Sequence, residues 1–84
     1  MDLLEATTES EITAKVDARG LSCPMPIVRT AQAAKPMASG TLLEVLTTDP
    51  GSIKDFAAWC RSTGNTLVEQ TSDGAVYRFV IRRK

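Results

Sequence analysis

Cys23 is the residue whose type and setting point most directly to chemistry. It lies in the stretch Gly20-Leu21-Ser22-Cys23-Pro24-Met25-Pro26, at the start of a predicted helix. Proline is tolerated in the first helical turn, because the N–H groups there have no intrahelical partner. We therefore expect Cys23 to be the N-cap, with Pro24 and Pro26 as the first and third helical residues. The amino end of a helix favours an anion, and the thiolate is the nucleophilic form of cysteine. The pattern predicts a reactive thiol whose pKa is lowered only modestly, since each proline removes an amide donor.

The composition excludes several other kinds of site. The chain has 84 residues and no histidine, which rules out Ser-His and Cys-His nucleophiles and most zinc centres. Its two cysteines are far apart and form neither a disulfide framework nor a metal-ligand spacing. We expect no metal and no cofactor. Free cysteines, together with the lack of a long apolar run or a signal-like amino terminus, predict a cytoplasmic protein.

The length predicts one domain, preceded by a short acidic segment. Residues 1–11 carry four acidic residues and no basic one, and we expect this segment to be flexible. The rest, residues 12–84, is mildly basic and should form the domain.

Periodicity within the domain predicts the order β-α-β-α-β-β. Near-continuous apolar residues in the second strand favour parallel pairing, and Ser72-Asp73-Gly74 favours a hairpin before the last strand. The expected fold class is α/β, a two-layer α+β sandwich with a four-stranded mixed sheet and two helices on one face. The predicted elements are strand 12–16, a helix from Pro24 to about Ala34, strand 41–47, a helix ending at Gly64, strand 66–71 and strand 75–82.

Spacing also predicts which helical residues face the sheet. The second helix has two candidate starts, a cap at Asp49 or one at Ser52. Trp59 is predicted to pack at the rim rather than to bind a ligand. Cys60 is predicted to be a core residue, because free cysteine is among the most buried residue types. The expected inner residues are Ile27, Ala31 and Ala34 in the first helix, and Ile53, Phe56, Ala57 and Cys60 in the second.

The pattern around Cys23 is similar to that of a known family. Asp17-x-x-Gly20-Leu21-x-Cys23-Pro24-x-Pro26 resembles the signature of the TusA (SirA-like) sulfur carriers. The resemblance covers residues 12–84 and implies the same sandwich fold. Further matches are Met37 with Gly40, Asp49-Pro50, Asp55, Trp59-Cys60 before Gly64, Asp73-Gly74, Tyr77-Arg78 and Ile81-Arg82.

The resemblance implies a sulfurtransferase activity centred on Cys23, with Asp17, Gly20, Leu21, Pro24 and Pro26 as supporting motif residues. Members accept sulfane sulfur as a cysteine persulfide from a cysteine desulfurase or a rhodanese-like donor. They pass it to a relay protein, most familiarly toward 2-thiolation of the wobble uridine in tRNA. Related members serve sulfur oxidation or molybdenum-cofactor maturation. Many relatives have histidine where this chain has Asn65, so a role that needs an imidazole is not carried over.

Basic residues on or near the helices leave the question of partners open. They are either a solvated face or a frame around Cys23 for an acidic partner surface; these residues are Arg29, Lys35, Lys54 and Arg61. An alternative function is a non-enzymatic regulatory module that binds RNA or a protein through this basic surface. A further alternative is a redox switch between Cys23 and Cys60. For a carrier we expect a monomer and no membrane contact, and direct contact with tRNA is an open but less favoured alternative.

Overall fold

Six elements form in the predicted order. The computed structural model describes residues 11–84, so the predicted flexible segment over residues 1–11 lies outside the described residues except for Glu11. Among the described residues, no helix has the length and apolarity needed to cross a membrane. The elements are β1 Ile12–Ala18, α1 Met25–Ala34, β2 Leu42–Thr47, α2 Ser52–Thr63, β3 Thr66–Asp73 and β4 Val76–Arg82.

The strands form one four-stranded mixed sheet in the order β1-β2-β4-β3. β2 is parallel to β1 and antiparallel to β4, which is also antiparallel to β3. β1, β2 and β3 therefore cross the sheet in chain order, with β4 inserted between the last two. Because both crossovers run in the same direction, right-handed connections bring both helices to one face. The predicted two-layer sandwich is confirmed.

The core fills the space between the helices and the inner face of the sheet. Alternation along β4 places Phe79 and Ile81 opposite Val45 and Leu43 of β2, and all four are buried. From α2, Phe56 stacks on Phe79 with ring centroids 4.6 Å apart. Ala34 of α1 belongs to the same core cluster, so both helices pack against this face of the sheet.

The inner face of α1 differs from the predicted one. Pro26, Thr30 and Ala34 are buried, whereas Ala31 is exposed and Ile27 is half-buried. Thr30 can face the core because its hydroxyl donates to the Pro26 carbonyl oxygen at 2.8 Å, which satisfies it within the helix. Packing against the sheet therefore decides which residues of α1 face the core. The spacing of the apolar side chains did not predict them correctly.

The amino end of α2 also differs. Its N-cap is Gly51, without a side-chain cap, so neither Asp49 nor Ser52 caps the helix. With this start, Ser52 is buried and Ile53 is exposed, which corrects the prediction that Ile53 faces inward. Phe56 and Cys60 are buried as predicted. At the other end, the helix stops at Gly64 as predicted; this residue is left-handed, with φ of 80°, and its N–H donates to the Cys60 carbonyl oxygen.

Candidate functional site

The loop between β1 and α1 carries Cys23 and is tied to the loop that follows β2. Gly20 turns the chain with φ of +80°, a conformation that favours glycine. Its N–H donates to the Thr48 hydroxyl oxygen at 2.9 Å. Because β1 and β2 are parallel neighbours, the loops at their carboxyl ends meet at one edge of the sheet.

Asp49 joins the two loops through the backbone of Cys23. One carboxylate oxygen, Oδ2, accepts a hydrogen bond from the Cys23 N–H at 3.2 Å. The other, Oδ1, accepts one from the Gly51 N–H, also at 3.2 Å. Cys23 itself is exposed, and its peptide bond to Pro24 is cis. The thiol is therefore presented to solvent from a backbone that the second loop holds in place.

The helix begins one residue later than predicted. Pro24 is the N-cap, so Met25 and Pro26 are the first and second helical residues, and Cys23 lies just outside the helix. The Met25 N–H donates to the Ser22 carbonyl oxygen at 2.9 Å. Pro26 has no N–H to donate. Two of the amide positions closest to the sulfur thus offer it no hydrogen bond.

Two carboxylates of the second loop and α2 set the protonation of the thiol. A hydrogen-bonding interaction with the Asp55 carboxylate, together with its negative charge, raises the pKa of Cys23 above the ordinary thiol value. Desolvation and the charge of Asp49 act in the same direction. The predicted modest lowering of the pKa is therefore wrong. A helix end carries only about half an elementary charge, and here two full negative charges oppose it.

Large apolar side chains are exposed at the end of the helices that carries Cys23. Met25 and Val28 of α1 and Ile53 of α2 are large hydrophobic residues that remain exposed. All three lie in the amino-terminal halves of their helices, at the end of the molecule that carries Cys23. An exposed apolar patch with polar surroundings is typical of a surface that another protein covers.

The motif residues have different local roles. Asp17 bonds locally, as its carboxylate accepts from the Arg19 guanidinium Nε and Nη2, each at 2.8 Å. These bonds lower the pKa of Asp17 to about 2. Leu21 packs against the core, Pro26 is buried and Pro24 is exposed. Gly20, Leu21 and Pro26 thus shape the loop, and none of them needs to touch a substrate.

The four basic candidates do not form one surface around Cys23. Arg29 and Lys54 lie in the amino-terminal halves of α1 and α2, on the same end as the thiol. Lys35 is the C-cap of α1 and Arg61 lies in the last turn of α2. At 1.5 Å per residue, α1 separates its two ends by about 15 Å. Only Arg29 and Lys54 are therefore placed to meet a partner at the sulfur.

The surroundings of Cys60 do not support a chemical role for its thiol. It is 4% exposed and lies in the core, and burial raises the pKa of its thiol. Both cysteines are free. Trp59 is half-buried and packs against the same core, and its ring and that of Phe56 meet edge to face at 75°. Within residues 11–84, no group of three or more His, Cys, Asp and Glu residues could hold a metal ion.

Sequence reasoning missed the carboxylates beside the sulfur. The sequence predicts Asp49 only as one of two candidate helix caps, and Asp55 only as a match to the family pattern. The available signal was topological: Cys23 follows one strand of a parallel pair, and Asp49 follows the other. In such sheets, the residues just beyond the carboxyl ends of neighbouring strands converge.

Comparisons with known proteins agree with this architecture. The family described as sulfurtransferase TusA matches residues 14–83. The sulfur carrier protein TusA of Allochromatium vinosum is 45% identical over 69 residues, which cover 82% of this chain and 91% of that protein. The sulfur carrier protein TusA of Pseudomonas putida is 37% identical over 71 residues, covering 84% and 89%. Among solved structures, a SirA-like protein from Desulfitobacterium hafniense superposes with a TM-score of 0.72 at 25% identity, covering 82% of this chain and 95% of that one.

Proposed function

Because the chain belongs to the sulfurtransferase TusA family, we propose that it carries sulfane sulfur as a persulfide on Cys23. The observation that carries this proposal is the exposure of a thiol on a loop that Asp49 fixes from the neighbouring loop. The other cysteine is buried in the core and offers no competing site. The carrier unit is the predicted domain over residues 12–84.

Sulfur transfer onto Cys23 is an exchange between two sulfur atoms. The Cys23 sulfur attacks the outer sulfur of a donor persulfide, and a new S–S bond forms as the donor's own S–S bond breaks. The donor leaves as a thiol after taking up the proton that Cys23 gives up. The reverse exchange with an acceptor cysteine regenerates the Cys23 thiol. No outside oxidant or reductant is consumed in either step.

Asp55 reduces the already small thiolate fraction of Cys23 when no partner is bound. Its carboxylate raises the pKa of Cys23, so little thiolate is present near neutral pH. A donor that covers the patch formed by Met25, Val28 and Ile53 excludes water from the exchange. A cationic group of that donor, opposite Asp55, would offset the carboxylate and make the sulfur nucleophilic on docking.

We assign the donor as a cysteine desulfurase or a rhodanese-like protein, and the acceptor as a cysteine-bearing relay protein. The pathway we propose leads to 2-thiolation of the wobble uridine in tRNA, in the cytoplasm. A monomer suits this role, since donor and acceptor must reach the same exposed thiol one after the other. Arg29 and Lys54 lie on the same end as the thiol and would contact these partners.

The test is sulfur loading of the intact chain by a cysteine desulfurase with cysteine as substrate. Mass spectrometry should find the chain heavier by one sulfur atom and map that atom to Cys23. Cys60→Ser, the matched control, should load like wild type. Equal loading of Cys23→Ser would overturn the proposal. If the protein's cellular phenotype is kept in Cys23→Ser but lost when the charges of Arg29 and Lys54 are reversed, a regulatory module is favoured instead.

A further inference from the structure

A cavity of about 220 Å³ opens between the carboxyl ends of the two helices, far from Cys23. Ala31 and Ala34 of α1 form part of its wall. Its other lining residues include Lys35, Trp59, Asn65 and Arg83. Since α1 is about 15 Å long, a ligand held here does not touch the sulfur. The cavity therefore has no part in the sulfur exchange.

Asn65 brings an unpartnered hydrogen-bond donor to this cavity. The residue is 7% exposed, and its Oδ1 accepts from the Lys84 backbone N–H at 2.9 Å. That bond identifies the oxygen end of the side-chain amide, so the remaining polar atom is the nitrogen Nδ2. This nitrogen has no acceptor among the described residues. Among the described residues the fully buried unpaired side-chain atoms are Thr47 Oγ1 and Ser52 Oγ, so the Asn65 nitrogen is accessible and can donate to an acceptor atom of a ligand.

The charged groups at the cavity are also donors. Lys35 and Arg83 line it, and none of its lining residues is acidic. The Arg83 Nε donates to the Ala34 carbonyl oxygen at 2.9 Å, which offsets the partial negative charge at the end of α1. The terminal guanidinium nitrogens of Arg83 have no partner among the described residues. The cavity is suited to an anion that carries additional acceptor atoms.

Trp59 adds a flat apolar surface to these donors. An aromatic ring beside basic side chains is the arrangement that stacks a nucleobase and holds its phosphate. The volume is below the range of about 300–1,000 Å³ found for larger ligands, so one small ring with one phosphate suits it. We propose that the cavity binds a pyrimidine nucleotide, either free or at an unpaired position of RNA. The base lies against Trp59, a base carbonyl oxygen accepts from Asn65, and Lys35 and Arg83 hold the phosphate.

Trp59 is the single tryptophan of the chain, so its fluorescence reports directly on this cavity. The full chain is titrated with uridine monophosphate, with a short single-stranded oligouridylate and with inorganic phosphate. We expect a saturable change in Trp59 fluorescence with one of the two nucleotide probes. Tighter binding of the mononucleotide identifies the free nucleotide as the ligand, and tighter binding of the oligomer identifies RNA. The proposal is overturned if neither nucleotide probe gives saturation, or if phosphate alone binds as tightly as both.

Matched variants separate binding in the cavity from a general attraction between the nucleotide and basic residues. Asn65→Asp keeps the acceptor for the Lys84 N–H and replaces the free donor by a negative oxygen. It should weaken nucleotide binding by at least about tenfold, as should Lys35→Gln, since each removes a charged or polar contact. Arg82→Gln removes the same charge as Lys35→Gln from an exposed position outside the cavity. Equal losses in the Arg82 and Lys35 variants would refute a specific site.

The Cys23→Ser variant distinguishes this site from the carrier function. It should bind the nucleotide as wild type does, because the cavity and the thiol are at opposite ends of the helices. Circular dichroism and a melting curve for each variant confirm that the fold is intact. If Asn65→Asp unfolds the chain, Lys35→Gln, which changes an exposed side chain, still decides the outcome.

Discussion

Replacing Asp49 tests whether the second loop holds the cysteine loop in place. Its carboxylate accepts from the backbone N–H groups of Cys23 and Gly51, each at 3.2 Å. Asp49→Ala removes both acceptors. Asp49→Asn keeps one oxygen acceptor and so one of the two bonds. Both variants lose the negative charge, so the difference in stability between them measures one hydrogen bond.

The expected loss of stability follows from counting these bonds. A hydrogen bond contributes a net of about 1 kcal/mol to the free energy of unfolding, so Asp49→Ala should lose about 2 kcal/mol and Asp49→Asn about half of that. In a domain of this size, each kcal/mol shifts the melting temperature by about 4–8 °C. We expect the alanine variant to melt about 8–16 °C below wild type. Thermal unfolding followed by circular dichroism measures the shift.

The same variants have an expected effect on the thiol. The charge of Asp49 contributes to the raised pKa of Cys23, so both variants should lower that pKa and speed alkylation by iodoacetamide near neutral pH. Cys60 is buried, so native-state alkylation reports on Cys23. Asp73→Ala, which removes an exposed carboxylate at the end of β3, is the control. An Asp49→Ala variant that melts like wild type would refute the role of the carboxylate in holding the two loops together, and slower alkylation would refute the electrostatic reasoning.

Three further predictions concern the site and the core. Asp55→Asn removes the main cause of the raised pKa of Cys23, so its alkylation-rate profile should shift to lower pH; an unmoved profile would contradict this. Phe56→Ala removes a fully buried ring that stacks on Phe79 and should cost about 3–5 kcal/mol in urea unfolding; a loss below 1 kcal/mol, on the order of a surface substitution, would contradict the packing. The pKa of Asp17 is lowered to about 2, so its contribution to stability is present above the ordinary carboxyl pKa and is lost as pH falls through 2. An NMR titration of the Asp17 carboxyl carbon measures this, and Arg19→Gln should return the pKa toward its ordinary value.

Local patterns were sufficient for the fold because each element carries its own signal. The alternation of β4 predicted that Phe79 and Ile81 face the core, and the pairing with β2 confirms it. Gly64 predicted the end of α2, since a left-handed residue there favours glycine. The stripe through Phe56 and Cys60 predicted the inner face of α2 from its fifth residue onward. The prediction was wrong at helix starts, where prolines and glycines allow several caps.

Only part of the candidate site could be predicted from the sequence, because local patterns do not relate residues that are far apart along the chain. Its nucleophile belongs to a local motif, but its electrostatics come from residues far along the chain. Cys23 and Asp49 are 26 positions apart, and no periodicity relates them. Counting cations along the helices likewise suggested one basic frame, whereas the helices carry Lys35 and Arg61 to the end opposite the thiol.

Residue type and short-range spacing are enough to predict the order of the elements, the sandwich fold and Cys23 as the exposed thiol. The upward shift of the Cys23 pKa could be found only from the folded chain, because parallel pairing of β1 and β2 brings Asp49 and Asp55 close to the thiol. The tertiary structure also decided which face of α1 is buried and the placement of Asn65 beside Trp59 and Arg83. Charges and cavities depend on distances in space, and chain folding sets those distances between residues that the sequence keeps apart.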